Sequence, residues 1–545
     1  MAHDDSLHIW KRAKPLIRKG YQALNKHLVL AVPAVSFPPA EKAADVGIGS
    51  PYGQGAAELK DFFSGVADDF LLTPTGETFA PEYSPYTSTL GYNPFLIPPE
   101  NIPFITKKDI EEACEDVTVS TQINYHKVYE KYRSLLSKSC ISFSKKLEDG
   151  DKKAAALDKK LRKFAKDHPY IATDASFYHK GFEYFYMFVQ FVVWQIAEGT
   201  DFIGDIPVKI PSSYVNAFPD AFLTEVTLGV PPDMFVDKPE NWGFPVLNPQ
   251  KMFDGDKLGV AGKLYFDIFD NAFKNNRSGL RIDHFIGVVN PFVIPLDNRY
   301  EAGRLYSSEN HPLLAKYAKH SLDEFAEVAE RIISAAAQKN DISNDKIYAE
   351  DIGTRPPQLD YVLQKLGWGR MLVSQFVEPE NPYHIYRLKN ALPNDIAVLD
   401  THDMESVQDF FEKMPEYERA KHANQLQQDL RFNYAPDLVQ PQSLIRMKWA
   451  ELMMSPARRV MTFFTSFTGQ EGRFNEPRNN VKWLLRCRSD YKQAYFRNLK
   501  AGRAYNPFDA ICLGLWARGD DCFNANKDLI SALRQTEKDL LDSIK

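Results

Sequence analysis

Gly279-Leu280-Arg281-Ile282-Asp283-His284-Phe285 is a short apolar run, opened by glycine and closed by charged and polar side chains. A run this short fits a strand buried on both faces better than a helix, which needs ten or more residues to bury a stripe. Seven more segments of this kind lie along the 545 residues: His27–Val35, Asp69–Thr73, Thr200–Val208, Lys346–Glu350, Met371–Phe376, Ile396–Thr401 and Val460–Phe467. Segments of helical period separate them, among them Gly55–Phe63, Gly259–Lys274, Ser321–Lys339 and Gln358–Leu366. Eight strands alternating with helices predict an α/β fold, a (β/α)8 TIM barrel with helical insertions between strands. A doubly wound parallel sheet gives the same alternation and stays open at this point.

The longest interval, between Thr73 and Thr200, holds a Lys/Glu-rich stretch from Lys107 to Lys166. Such a charge run reads as a solvated helical face. The expected organisation is one catalytic barrel domain over residues 1–545, a largely helical insertion over 100–198, and C-terminal helices over 505–545 packed on the barrel. The apolar stretch Phe185–Ile196 is too short to cross a membrane and carries Gln190 and Gln195, so it reads as a buried helix.

Lys and Arg number 66 against 72 Asp and Glu, a formal charge of −6, and the basic residues are scattered. That distribution lacks the footprint that tracks a phosphate backbone, so nucleic acid is not expected as a partner. Aromatic residues make up 13% of the chain, enough to suggest that some rings face a flat apolar ligand. Cys114, Cys140, Cys487, Cys512 and Cys522 form no C-x-x-C pair. Neither a disulfide framework nor a thiolate zinc site is indicated, and a reducing, cytoplasmic compartment is expected. Residues Met1–Lys19 mix acidic and basic side chains before any apolar run, unlike a signal peptide.

In a barrel, chemistry sits at the carboxyl ends of the strands. The fourth run ends in Arg281 and Asp283, which share a strand face at i and i+2, so a guanidinium stands beside a carboxylate and holds it ionised. The fifth ends in Glu350-Asp351, whose side chains point to opposite faces, with Glu350 in phase with the strand as the candidate acid. The seventh ends in Asp400-Thr401-His402-Asp403, adding another carboxylate. Acids converging at one mouth suit glycoside chemistry. A metal site is the competing reading, since Asp283, His284, Glu350, His402 and Asp403 are all able to ligate. The chain has no H-x-H or H-E-x-x-H, and Arg281 repels a cation. Neither a dinucleotide fingerprint nor a phosphate loop is present: Gly47-Ile48-Gly49-Ser50-Pro51 has the wrong spacing.

The ordered motifs make the chain resemble the amylomaltases, the disproportionating 4-α-glucanotransferases of the α-amylase-like barrel clan. The resemblance runs through Gly47-Ile48-Gly49, Ser84-Pro85-Tyr86, Asn93-Pro94 and Ile203-Gly204-Asp205-Ile206-Pro207. It continues through Gly229-Val230-Pro231-Pro232-Asp233-Met234-Phe235, Trp242-Gly243-Phe244-Pro245, Arg281-Ile282-Asp283-His284-Phe285, Ala349-Glu350-Asp351-Ile352-Gly353, Gln375-Phe376 and Thr401-His402-Asp403. It implies that Asp283 is the nucleophile, Glu350 the acid/base and Asp403 the transition-state stabiliser. By the same resemblance Arg281, His284 and His402 orient the nucleophile and bind the adjacent sugar. Tyr86 stacks on that sugar, Asp205 is a polar residue at the same mouth, Trp242 belongs to a loop covering the donor chain, and Asn475 binds substrate.

The implied reaction transfers a segment of an α-1,4-glucan to the 4-hydroxyl of glucose or another glucan, with retention. Retention asks for the Asp283 and Glu350 carboxyls about 5–5.5 Å apart. Maltooligosaccharides and other α-1,4-glucans are the implied partners, and neither a metal nor an organic cofactor is required. The chain departs from the family at three places. Ile286 follows R-I-D-H-F where the family has Arg, and Asp400-Thr401-His402-Asp403-Met404-Glu405-Ser406 replaces G-T-H-D-N-D-T. Arg478 replaces a glycine after Pro477. An α-glucan hydrolase on the same barrel, or a glucan-binding homologue with impaired catalysis, are the alternative readings.

Overall fold

The computed structural model describes residues 2–41, 45–115, 120–232, 237–431, 436–476 and 483–544. Each of the eight apolar runs contains a strand: β1 (His27–Ala31), β2 (Asp69–Leu71), β3 (Ile203–Ile206), β4 (Gly279–Ile282), β5 (Ile347–Ala349), β6 (Met371–Val373), β7 (Ile396–Val398) and β8 (Arg459–Phe463). They form one sheet in the order β5-β4-β3-β2-β1-β8-β7-β6. The ladders of β1 with β2 and β8, of β4 with β3 and β5, and of β7 with β6 and β8 are parallel. This is chain order read round a circle, the order of a (β/α)8 barrel, whereas a doubly wound sheet reverses direction at a switch point. Every residue of β4, β5, β6 and β7 is buried, as strands with covered faces require.

The chain divides into two compact units. The first comprises Met1–Leu71, Val117–Tyr125 and Met371–Lys545 and carries β1, β2, β6, β7 and β8. Much of the chain's aromatic content lies in its core. Trp10, on the helix Ala2–Leu24, packs edge-on against Tyr495 at 5.3 Å between ring centroids and stacks on Phe62 at 5.7 Å. Phe63 meets Phe467 edge-on at 4.9 Å, and Phe508 closes on Trp10. The indole N–H of Trp10 donates to the Phe62 carbonyl at 2.8 Å, so the one polar atom of this buried ring is satisfied. The helix Pro507–Ala517 starts with proline in its first turn behind the Asn506 cap, and the helix Lys527–Ser543 follows.

The second unit comprises Leu72–Asp116 and His126–Arg370 and carries β3, β4 and β5. Its core joins Leu280, Ile282, Ile347 and Ala349 of the strands to Ile268, Phe269 and Phe273 of the helix Val260–Asn275 and to Val362 and Leu363 of the helix Pro357–Leu366. The charge-rich stretch is helical, and Lys152–Asp167 buries only a stripe of Ala154, Leu161 and Phe164 while its lysines face solvent. The helix Glu183–Ala197 is buried along most of its length. Its Gln190 is not an exposed polar interruption: the amide accepts from the Tyr92 N–H at 2.7 Å and donates to the Tyr92 carbonyl at 2.8 Å. No helix among the described residues is long and apolar enough to cross a membrane. An antiparallel sheet of Gly303–Arg304, Phe292–Pro295, Val226–Val230 and Glu240–Phe244 completes the unit.

Trp10 provides a direct test of the aromatic core. Trp10→Ala is expected to destabilise the protein by about 3–5 kcal/mol, the usual cost of emptying a large buried aromatic site. Trp10→Phe, which keeps most of the volume and gives up the hydrogen bond to Phe62, is expected to cost clearly less; urea unfolding of the three proteins measures both.

Candidate active site

β3, β4 and β5 bring their carboxyl ends together through register. Asp205 and Arg281 are Cα partners across the β3–β4 ladder, and Arg281 and Tyr348 are partners across β4–β5. The ladder continues one residue past each strand: Asp283 N–H donates to the Ile206 carbonyl at 3.0 Å, and Glu350 N–H donates to the Ile282 carbonyl at 2.9 Å. Asp283 and Glu350 are thus the first residues beyond two neighbouring strands, fixed by backbone bonds before their side chains make any contact.

Arg281 is the hub. Its Nη1 donates to both oxygens of Asp205 at 2.8 Å and lies 3.0 Å from Asp283 Oδ1. The Tyr86 hydroxyl donates to Asp205 Oδ2 at 2.7 Å, and the guanidinium lies 6.0 Å from the Tyr86 ring centroid. Tyr86 is held by a short 3-10 turn, Pro85–Thr87, which Ser84 caps by accepting the Tyr86 N–H. Exposure separates the two aspartates: the Asp205 side chain keeps 1% of its surface and that of Asp283 keeps 20%. Asp205 is committed to Arg281 and Tyr86, while Asp283 has an open face for a ligand. Burial opposes the charge on Arg281, and Asp205, Tyr86 and Asp283 with Glu350 hold it protonated. The Asp205 carboxyl is pushed up to about 6, by burial first and by the Asp283 charge, with Arg281 pulling the other way.

Glu350 is buried, and its carboxylate is gripped by backbone. Its Oε2 accepts the His284 N–H at 2.9 Å and its Oε1 accepts the Ile352 N–H. His284 takes φ +43° to present that N–H, an uncommon conformation outside glycine. Burial pushes the Glu350 carboxyl up to about 7; Arg281 and the two backbone donors pull down, and Asp283 adds to the rise. Asp351 points the other way, to Arg355 at 2.6 Å with 1% of its side chain exposed, so the opposite-face expectation for the adjacent pair holds. The His284 ring is desolvated, which drives its pKa down to about 3 and keeps it neutral, and its Nε2 has no hydrogen-bond partner among the described residues. Trp242 packs edge-on against it at 4.7 Å. Trp242 stands on the edge strand Glu240–Phe244 and not in a loop as expected, on a strand that Gly243 at φ +67° and a register shift opposite Leu228/Gly229 make irregular.

The other predicted residues lie in the first unit. His402 Nε2 is 3.2 Å from Asp403 Oδ2, and the Asn475 amide donates to Asp403 Oδ1 at 2.5 Å. The Arg473 guanidinium donates to the Asp403 carbonyl at 2.6 Å and Gln375 donates to the Glu405 carbonyl at 3.2 Å, so neighbouring elements hold this loop by its backbone. The Asp403 side chain is 42% exposed. Sequence reasoning passed over Arg473 and Gln375 as functional groups, although Gln375 sits in a motif that carried the resemblance. Asp233, Met234, Phe235, Pro477 and Arg478 lie outside the described residues. Among the described residues no group of three or more His, Cys, Asp or Glu is arranged to hold a metal.

Comparison with known proteins follows the same lines. Residues 182–491 match the family model described as 4-alpha-glucanotransferase. A 4-alpha-glucanotransferase of Clostridium butyricum is 24% identical over 512 residues, covering 84% of this chain and 96% of its own. One from Aquifex aeolicus is 23% identical over 336 residues, covering 58% and 61%. Among solved structures, the amylomaltase from Streptococcus agalactiae in complex with acarbose superposes with a TM-score of 0.65 at 19% identity, over 88% of this chain and 100% of its own. The amylomaltase from Corynebacterium glutamicum gives 0.59 at 15% identity, over 97% and 76%. These structures share the fold, and the family match spans more than half of the sequence, including β3 to β8: the chain belongs to the 4-alpha-glucanotransferase family.

Proposed function

We propose that the protein transfers segments of α-1,4-glucans between maltooligosaccharides by double displacement, with Asp283 as nucleophile and Glu350 as acid/base. The observation that carries this reading is the contrast between the two carboxyls: Asp283 is open and salt-bridged to Arg281, while Glu350 is buried and driven toward its neutral form. Two neighbouring acids whose surroundings separate their protonation states are the requirement for this chemistry.

In the first step a carboxylate oxygen of Asp283 attacks the anomeric carbon, the bond to the glycosidic oxygen breaks, and Glu350 delivers its proton to that oxygen. The leaving glucan departs and the donor remains as an ester on Asp283. In the second step the acceptor's 4-hydroxyl attacks the same carbon and gives its proton to Glu350, and the ester bond to Asp283 breaks. Arg281 pairs with Asp283 and aims it, and Asp205 with Tyr86 keeps Arg281 in place. Asp403, with His402 and Asn475, binds sugar hydroxyls and stabilises the oxocarbenium-like transition state. Trp242 and His284 provide an apolar wall that disfavours water as acceptor. Five free cysteines support assignment to a reducing, cytoplasmic compartment.

With maltotriose alone, the expected products are glucose and a ladder of longer oligosaccharides without growth in total reducing ends; glucose and maltose with rising reducing ends would assign hydrolysis instead. Asp283→Asn is expected to abolish the ladder, and proton NMR of the first products should show α-anomers, whereas β-anomers overturn the double displacement.

The protonation of Glu350 sets the pH response. Acid function requires the protonated form, so kcat/KM is expected to fall as pH rises through about 7, with Glu350→Gln slower by about 10²–10⁴-fold and lacking that limb. The stability effect has the same sign. With the folded carboxyl raised from the usual 4.5, the folded state holds the proton longer than the unfolded chain, so its stabilising contribution is complete below 4.5 and lost as pH rises through about 7. Glu350→Gln therefore gains stability relative to the parent between pH 4 and pH 8, measured by thermal unfolding at both.

A further inference from the structure

The loop from the end of β7 to the helix Val407–Lys413 carries His402 and Asp403, and both of its stems meet at one hydroxyl. At the exit, the Val407 N–H donates to Ser466 Oγ at 2.7 Å. At the entrance, Ser466 Oγ donates to Asp400 Oδ2 at 2.5 Å. With Asp400 ionised the directions follow: Val407 offers only a proton, a hydroxyl has one proton to give, and the carboxylate is the acceptor that takes it. Asp400 also accepts the Phe463 N–H at 2.9 Å and the Thr462 hydroxyl at 3.0 Å. Ser466 sits on the short helix that follows β8, so the loop is tied across its own base to the neighbouring strand.

A buried carboxylate here is not needed to pair the strands, because the β7–β8 ladder already runs from Ile396 with Arg459 to Val398 with Met461. Asp400 is 1% exposed, and burial pushes its carboxyl up to about 7, so its charge is held at a cost that an apolar residue avoids. It stands where the family's G-T-H-D-N-D-T begins with glycine. What the carboxylate adds is a tie across the base of the segment between residues 400 and 407, in which the Asp403 side chain is 42% exposed.

We infer that Asp400 and Ser466 are positioning residues of the transfer reaction: a carboxylate–hydroxyl staple that closes the loop 401–406 at its base and sets the aim of Asp403 on the sugar. The inference rests on the role given to Asp403 under Proposed function.

A double-mutant cycle of Ser466→Ala with Asp403→Asn, read as kcat and KM for maltotriose, tests it. Ser466→Ala is expected to lower kcat on the order of 10²-fold, the scale of a misplacement near 1 Å, with a much smaller change in KM. Asp400→Asn keeps one acceptor oxygen and is expected to lose less. In the Asp403→Asn background neither change lowers kcat further, because both act through Asp403. Equal, additive losses in the two backgrounds overturn the staple while leaving Asp403 in its role. Asp403→Asn without loss overturns the role of Asp403, and the staple's purpose with it. If Ser466→Ala fails to fold by circular dichroism, Asp400→Asn takes its place in the same cycle.

Discussion

The second unit's chemistry depends on one buried cation. Arg281 lies between Asp205, its register partner on β3, and Asp283, two residues on along its own strand. A guanidinium sealed from water needs carboxylates in contact, and parallel register together with period-2 alternation supply one on each side. With Glu350 the neighbourhood holds three acids against one cation. The charges do not balance: burial raises Asp205 as well, to about 6, and the carboxyl raised highest is the one with no direct ion pair to Arg281 among the described contacts. That is Glu350, whose carboxyl rises to about 7 while Asp283 keeps the salt bridge. The same arrangement that makes Arg281 tolerable therefore differentiates acid from nucleophile.

Features set by local parity were readable from the sequence. All eight strands follow from short apolar runs, and Arg281 with Asp283 on one face and Glu350 opposite Asp351 follow from alternation. Contacts that close over long separations left no local signal. The bond from Ser466 to Asp400 spans 66 residues, and the backbone N–H of His284 reaches Glu350 across 66 residues only because φ is +43°. The antiparallel sheet bearing Trp242 was missed because Gly243 and a register shift interrupt the alternation that marks a strand. The need for glycine at position 49 likewise shows only in the structure: a Cβ there would lie 2.1 Å from the Phe37 carbonyl oxygen. The aromatic content was suggestive but ambiguous. The rings around Trp10 fill a core, whereas Tyr86 bonds to Asp205 and Trp242 packs on His284.

Glu350 and Asp403 are held in different ways. Glu350 is gripped by two backbone N–H groups, which no side-chain substitution removes. The loop around Asp403 is gripped at the carbonyls of Asp403 and Glu405 by Arg473 and Gln375. Carbonyls are present whatever the side chain, so residues 404–406 can become Met, Glu and Ser without loosening the grip. Ser406 even keeps a helix-start function, accepting the Asp409 N–H as the cap of Val407–Lys413.

Ile286 fits the same logic from the apolar side. It begins the short helix Ile286–Val289 directly after the His284 turn and is 3% exposed within the second unit's core. A cation there would need a buried partner of its own beside Arg281, whose acids are already committed, so an apolar residue is the cheaper solution. Gly287 has no such freedom: a Cβ would lie 3.0 Å from Val208 and 3.1 Å from the His284 ring. The position beside the His284 ring leaves no room for a side chain, and the position that faces the core takes an apolar one, so both serve the geometry around Asp283 and Glu350.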